Sequence, residues 1–171
     1  MLSSPEMVAA VADSLVKYNC PPLILDPVMI ATTGASLLQT EAINVIIERL
    51  FGLATVITPN VPEAASLLDK CGYDGYNPLE IETRYDLVKM ARTLQCHGPK
   101  WVLVKGGHCP FRKDGKVAKT EEEKEVVVNV LYGEKQTIEM EFPYVDSRNT
   151  HGTGCSLACR SFPDIQDRIR S

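Results

Sequence analysis

Four short stretches of this sequence hold residue types that handle charged groups: Asp26, the run Thr58 to Glu63, the run Lys105 to His108, and the run Asp146 to Cys155. Two carboxylates (Asp26, Glu63), a lysine (Lys105) and the glycine-rich turn His151-Gly152-Thr153-Gly154-Cys155 are together the parts that phosphoryl transfer needs. A lysine offers phosphate oxygens a compact charge, carboxylates support a hard cation, and glycines let amides at a helix start approach an anion. Catalysis of this type rests on positioning and charge stabilisation. Each member also has an ordinary reading. Asp26-Pro27 starts turns, Glu63 suits the positive end of a helix, Lys105 suits a solvated loop, and Gly152-Thr153-Gly154 suits a tight turn. Cys155, at a predicted helix start, has its thiolate favoured and is a candidate base or nucleophile, although most single cysteines are small buried apolar residues. His108 and His151 are candidates for substrate binding or proton transfer, or plain loop residues.

Strands and helices must bring these stretches together. Ser4 to Tyr18 places Met7, Val8, Val11, Leu15 and Val16 on one helical stripe, with Pro5 preset for the first turn. Leu23-Ile24-Leu25 is a short apolar run that reads as a strand buried on both faces, with Asp26 at its carboxyl end. Helical spacing returns over Thr40 to Phe51, stopped by Gly52, and a second buried strand follows over Ala54 to Ile57. Thr58-Pro59-Asn60-Val61-Pro62-Glu63 then turns the chain into a helix from about Pro62 to Lys70. A further helix over Thr83 to Cys96 leads to the strand Trp101 to Val104. After a polar loop, Glu125 to Leu131 and Gln136 to Phe142 read as a β-hairpin turning around Tyr132-Gly133-Glu134. Helices alternating with short buried strands predict an α/β fold: a mostly parallel sheet covered on both faces, plus a late antiparallel hairpin. In such sheets ligands gather at the carboxyl ends of the strands, where the four stretches fall.

The composition excludes several classes. The net charge of −4 and the answering of Arg112, Lys113, Lys116 and Lys119 by Glu121, Glu122, Glu123 and Glu125 leave no concentrated basic face for nucleic acid. No stretch approaches membrane-spanning length. The six cysteines are scattered without a Cys-x-x-Cys unit, so neither a zinc knuckle nor a disulfide scaffold is expected, and a reducing cytoplasmic location is.

The order and content of Leu25-Asp26-Pro27-Val28-Met29, Ala31-Thr32-Thr33-Gly34, Ile57 to Ala64, Val104-Lys105-Gly106-Gly107-His108 and Thr150-His151-Gly152-Thr153-Gly154-Cys155 resemble those of hydroxymethylpyrimidine and phosphomethylpyrimidine kinases of thiamine biosynthesis, in the ribokinase superfamily. The similarity runs from Met1 to about Ala158. Pyridoxal kinases are the nearest competitors, but the Lys-Gly-Gly-His segment and the cysteine closing the glycine loop resemble the pyrimidine branch more closely. The resemblance implies a ribokinase-like three-layer α/β/α fold and phosphorylation of hydroxymethylpyrimidine or its monophosphate, with ATP and Mg2+ as cofactors. It implies Gly152, Thr153 and Gly154 as an anion hole and Cys155 as activator of the substrate hydroxyl. Lys105 falls on the ATP phosphates, Thr58 and Asn60 with the cofactor, and Asp26 and Glu63 on magnesium and the transferring phosphoryl group.

The family pattern also implies strands before the region matching Met1, and a long helix after Ala158 where this sequence has Cys159-Arg160-Ser161-Phe162-Pro163. Pro163 cannot continue a helix, having no amide donor. The expected organisation is therefore a truncated kinase domain over 1–158 and a divergent tail over 159–171. A sheet shortened in this way has an open edge and apolar helix faces prone to association, so a homo-oligomer is among the expectations. Two further readings stand beside the kinase: a non-catalytic fragment that keeps phosphate binding or pairs with a full-length relative, and a kinase acting on pyridoxal. Among the six cysteines, Cys155 is the expected reactive thiol, with Cys159 one helical turn later as its rival.

Overall fold

The computed structural model describes residues 4–19, 21–29, 40–73 and 76–146. Helix α1 spans Pro5–Lys17, with Ser4 accepting the Met7 amide at its start and Val8 and Ala12 buried. Strand β1 (Leu23–Leu25) follows, then α2 (Thr40–Leu50), which passes through a single 3-10 turn into β2 (Ala54–Ile57). Helices α3 (Val61–Lys70) and α4 (Arg84–Gln95) lead to β3 (Trp101–Val104), and β4 (Val126–Gly133) and β5 (Gln136–Pro143) close the described chain. The elements agree with the sequence expectation to within a residue or two at most ends.

The five strands form one mixed sheet in chain order, β1-β2-β3-β4-β5. The pairs β1/β2 and β2/β3 are parallel, and β3/β4 and β4/β5 antiparallel. Alternation along each strand divides the apolar residues between two faces. Val102 and Val104 of β3 and Val126, Val128 and Val130 of β4 join the larger core, with Leu67 and Leu68 of α3 and Leu87, Met90 and Leu94 of α4. All four helices feed this core, and α4 packs directly on β3 and β4. On the other face Val56, Trp101, Leu103 and Leu131 form a second buried cluster, flanked by Ile138 and Met140. Among the described residues no helix contributes to this second cluster. The expectation that Leu23–Leu25 is buried on both faces is met only in part, since Leu23 and Ile24 of β1 are half-buried; β3 is the strand whose four residues are all buried. Among the described residues β1 has a neighbour on one side alone.

The hairpin corrects one expectation. The turn is not centred on Gly133: residues Glu134 and Lys135 form it, with φ of 48° and 62°, and Gly133 pairs with Gln136 inside the ladder. Gly133 is needed in the strand for a different reason. A Cβ there would lie 2.4 Å from the Trp101 ring, too close for any side chain.

Candidate functional site

Strands β1, β2 and β3 end side by side, in registers Leu25 with Ile57 and Ile57 with Val102. The residues that follow continue the alignment. The Thr58 amide donates to the Leu25 carbonyl at 3.0 Å, the Lys105 amide donates to the Pro59 carbonyl at 2.8 Å, and Asn60 and Lys105 form a parallel bridge. Backbone pairing thus places Asp26, Thr58, Asn60 and Lys105 together beyond the sheet, although they come from three separate parts of the chain.

Their side chains meet. Lys105 Nζ lies 2.9 Å from Asp26 Oδ1, and the Thr58 hydroxyl donates to the same oxygen at 2.9 Å. The Lys105 and Asp26 side chains are only 12% and 17% exposed, and Thr58 is fully buried. A pair so placed is screened less than a surface salt bridge, and it leaves a fixed cation at the mouth of the parallel strands.

Glu63 enters from α3 through a reciprocal cap. Its own amide donates to Asn60 Oδ1 at 2.9 Å while its carboxylate Oε2 accepts the Asn60 amide at 2.8 Å. Asn60 is therefore the N-cap that starts α3 and also the residue that orients Glu63. Burial pushes the Glu63 carboxyl above its ordinary value, and the Asp26 charge adds to this. The Asn60 amide, the Lys105 ammonium and the Met29 amide oppose the shift without cancelling it.

Among the described residues Lys105 lies in the field of both Asp26 and Glu63, and Glu63 is charged against the cost of its burial. Asp26 and Glu63 are donors of the kind magnesium accepts: one or two carboxylates, with waters and phosphate oxygens completing its shell. Among the described residues no group of three or more His, Cys, Asp or Glu gathers as a self-sufficient metal cage. Asp26 and Glu63 are the residues that could hold a cation arriving with phosphate.

After Lys105 the chain makes a 3-10 turn, Gly106–His108, on which Gly106 is buried and His108 exposed. The Gly106 amide donates to Asn129 Oδ1 at 3.0 Å, and Asn129, in mid β4, is 7% exposed. Asn129 was not among the sequence candidates. Its signal was a lone amide within the valine-rich run Val126 to Leu131.

Of the nine candidate site residues, Asp26, Thr58, Asn60, Glu63 and Lys105 come together, and Gly152, Thr153, Gly154 and Cys155 lie outside the described residues. His151, Cys159 and the 159–171 tail lie outside them too. Cys71, Cys96 and Cys109 are free thiols. Burial and the charge of Asp86 push the Cys109 thiol up to about 11, and burial also raises Cys71. No described helix is long and apolar enough to cross a membrane.

Comparison with known proteins agrees with this geometry. A bifunctional thiamine biosynthetic enzyme of Arabidopsis thaliana is 37% identical over 158 residues, which are 92% of this chain and 26% of that protein. The crystal structure of a phosphomethylpyrimidine kinase from Clostridium difficile is 31% identical with a TM-score of 0.60, covering 93% of this chain and 58% of the other. An ADP complex of Bacillus subtilis pyridoxal kinase is 28% identical with a TM-score of 0.69, covering 92% and 52%. The chain therefore corresponds to a part of each of these proteins. The profile of the phosphomethylpyrimidine kinases matches residues 1–160; with strand ends that bring a lysine, a threonine and two carboxylates to one point, the chain belongs to the phosphomethylpyrimidine kinase family.

Proposed function

We propose that this chain carries the phosphate-handling part of an ATP-dependent kinase acting on hydroxymethylpyrimidine or its monophosphate in thiamine biosynthesis. The observation that supports it most is Lys105, anchored on Asp26 at the carboxyl ends of three parallel strands. In the transfer, the substrate hydroxyl oxygen bonds the terminal phosphorus and the bond from phosphorus to the bridging oxygen breaks. ADP keeps that electron pair, and the hydroxyl proton passes to a base, the role the resemblance gives to Cys155. Lys105 offsets charge on the phosphate oxygens as they shift. Gly152, Thr153 and Gly154 supply backbone amides to the transferred group. Thr58 holds Asp26, and Asn60 holds Glu63, and these two carboxylates would hold a magnesium ion. The chemistry it would supply there is neutralisation of phosphate charge. A cytoplasmic location, self-association, and partners limited to small molecules are parts of the same reading.

The test is ATP- and magnesium-dependent formation of either phosphorylated pyrimidine, followed by mass spectrometry. Lys105→Met is expected to lower kcat/KM at least about a hundredfold, the scale of losing a charge-stabilising donor, while the protein stays folded. A folded wild-type chain that forms neither product refutes the kinase reading for this chain.

Two other readings each have an observation behind them. The likeness to a pyridoxal kinase structure makes pyridoxal the substrate to include in the assay. Exposed Met7 and Val16 on α1, with Tyr18 just after it, favour a non-catalytic piece that pairs with a full-length relative, which a stable complex with such a relative and no turnover identifies.

A further inference from the structure

Lys105 can serve phosphate only if its side chain leaves the backbone in one direction, and two peptide planes decide that direction. The plane before Lys105 is held by its own amide, bonded to the Pro59 carbonyl. The plane after it is held at the Gly106 amide, bonded to Asn129 Oδ1 at 3.0 Å in a buried setting. The first bond restrains φ and the second ψ, and Lys105 rests at −86° and 115°.

The second bond is the unusual one. The ladder between β3 and β4 ends at Val104 and Val130, so the Gly106 amide leaves the last strand pair without a ladder carbonyl. The backbone is nevertheless pressed onto β4: a Cβ on Gly106 would sit 2.0 Å from the Val128 carbonyl oxygen. Water has little room there, and the side chain of Asn129 supplies the acceptor that the strand cannot.

We propose that Asn129 is a positioning residue for Lys105, setting through the Gly106 amide the peptide plane that directs the ammonium to Asp26 and the strand ends. The functional consequence rests on the phosphate-binding reading of Lys105; the positioning itself does not.

The experiment uses the full chain without nucleotide and follows limited acylation of Lys105 by mass spectrometry, with exposed Lys135 as internal reference. Asn129→Leu keeps the size and removes the acceptor, Asn129→Asp keeps an acceptor, and Val130→Ala weakens the neighbouring core without touching the bond. Lys105 acylation is expected to rise several-fold in Asn129→Leu and to stay near wild type in the other two. Equal rates in all four proteins, or an equal rise in Val130→Ala, overturn the proposal. Should Asn129→Leu fail to fold, hydrogen exchange at the Gly106 amide of the wild-type protein decides it: strong protection is expected, and exchange at the rate of an open amide overturns it. In a second arm, Asn129→Leu is expected to weaken MgATP binding about tenfold, the scale of one lost buried hydrogen bond, and to have no further effect in a Lys105→Met background. A wild-type chain that shows the acylation pattern but does not bind MgATP removes the phosphate reading of Lys105 and leaves the positioning role standing.

Discussion

The Glu63 carboxylate caps α3 with one oxygen while it sits in the field of Lys105 and Asp26, and burial holds it above its ordinary value. A carboxyl whose folded-state value is raised binds its proton more tightly folded than unfolded. Its contribution to stability is therefore full below the unfolded value and is lost as pH rises through the folded one. Glu63→Gln keeps an acceptor for the Asn60 amide and does not titrate. It is expected to be more stable than wild type at neutral pH, with the advantage fading as pH falls through the raised folded value and gone below 4.5, the ordinary value. Urea unfolding at a series of pH values measures this, and an advantage that grows on acidification contradicts the burial argument. The same substitution is expected to impair any magnesium-dependent turnover, an exchange of function for stability common at sites with strained electrostatics. Among the cysteines, buried Cys109 with its thiol pushed up to about 11 is expected to alkylate more slowly than exposed Cys96. Mass-spectrometric mapping shows it, with Cys155 expected fastest of all and shielded by MgATP.

In the β4–β5 hairpin, both turn residues adopt left-handed backbone angles, the geometry two-residue hairpins favour but one that Glu134 and Lys135 meet at a cost. Lys135→Gly is expected to stabilise the chain by about 0.5–1 kcal/mol by removing the Cβ strain of the left-handed region. Gly133→Ala, by contrast, drives a methyl into the Trp101 ring and is expected to cost at least about 2 kcal/mol. Thermal unfolding of the two variants distinguishes this turn from one centred on Gly133. Glycine is read as turn-forming because local rules see only its backbone freedom, and here it answers to a ring thirty-two positions earlier, brought opposite by the pairing of Trp101 with Gly133. Asn129 was missed for the same reason, since its partner Gly106 is known only once β3 and β4 are in register. Asp26, Thr58 and Lys105 were legible because each directly follows a short apolar strand, and parallel strands end together. Asn60 and Glu63 were legible through the spacing of a helix start.

At the scale of the molecule, the four helices share one core, yet α1 also turns an apolar face outward. Met7, Ala10, Val11, Ser14, Leu15, Tyr18 and Pro21 line a groove of about 430 Å³, and Met7 and Tyr18 are 45% and 72% exposed. Exposed apolar surface of this kind promotes association. The double substitution Met7→Lys and Tyr18→Lys is expected to shift the chain toward monomer in light scattering. Its effect on stability should stay within about 0.5 kcal/mol, as for most surface changes. A wild-type chain already monomeric at high concentration shows that this face does not drive association.

The bond between Lys105 and Asp26 joins residues 79 positions apart, and that between Thr58 and Asp26 joins residues 32 apart. The β4–β5 hairpin, by contrast, closes over two residues. Distant closures cost more chain entropy and come late in folding, whereas local ones form within microseconds. The charged cluster is therefore expected to form later than the β4–β5 hairpin on refolding. On refolding from denaturant, far-ultraviolet ellipticity should recover ahead of the capacity to bind phosphate.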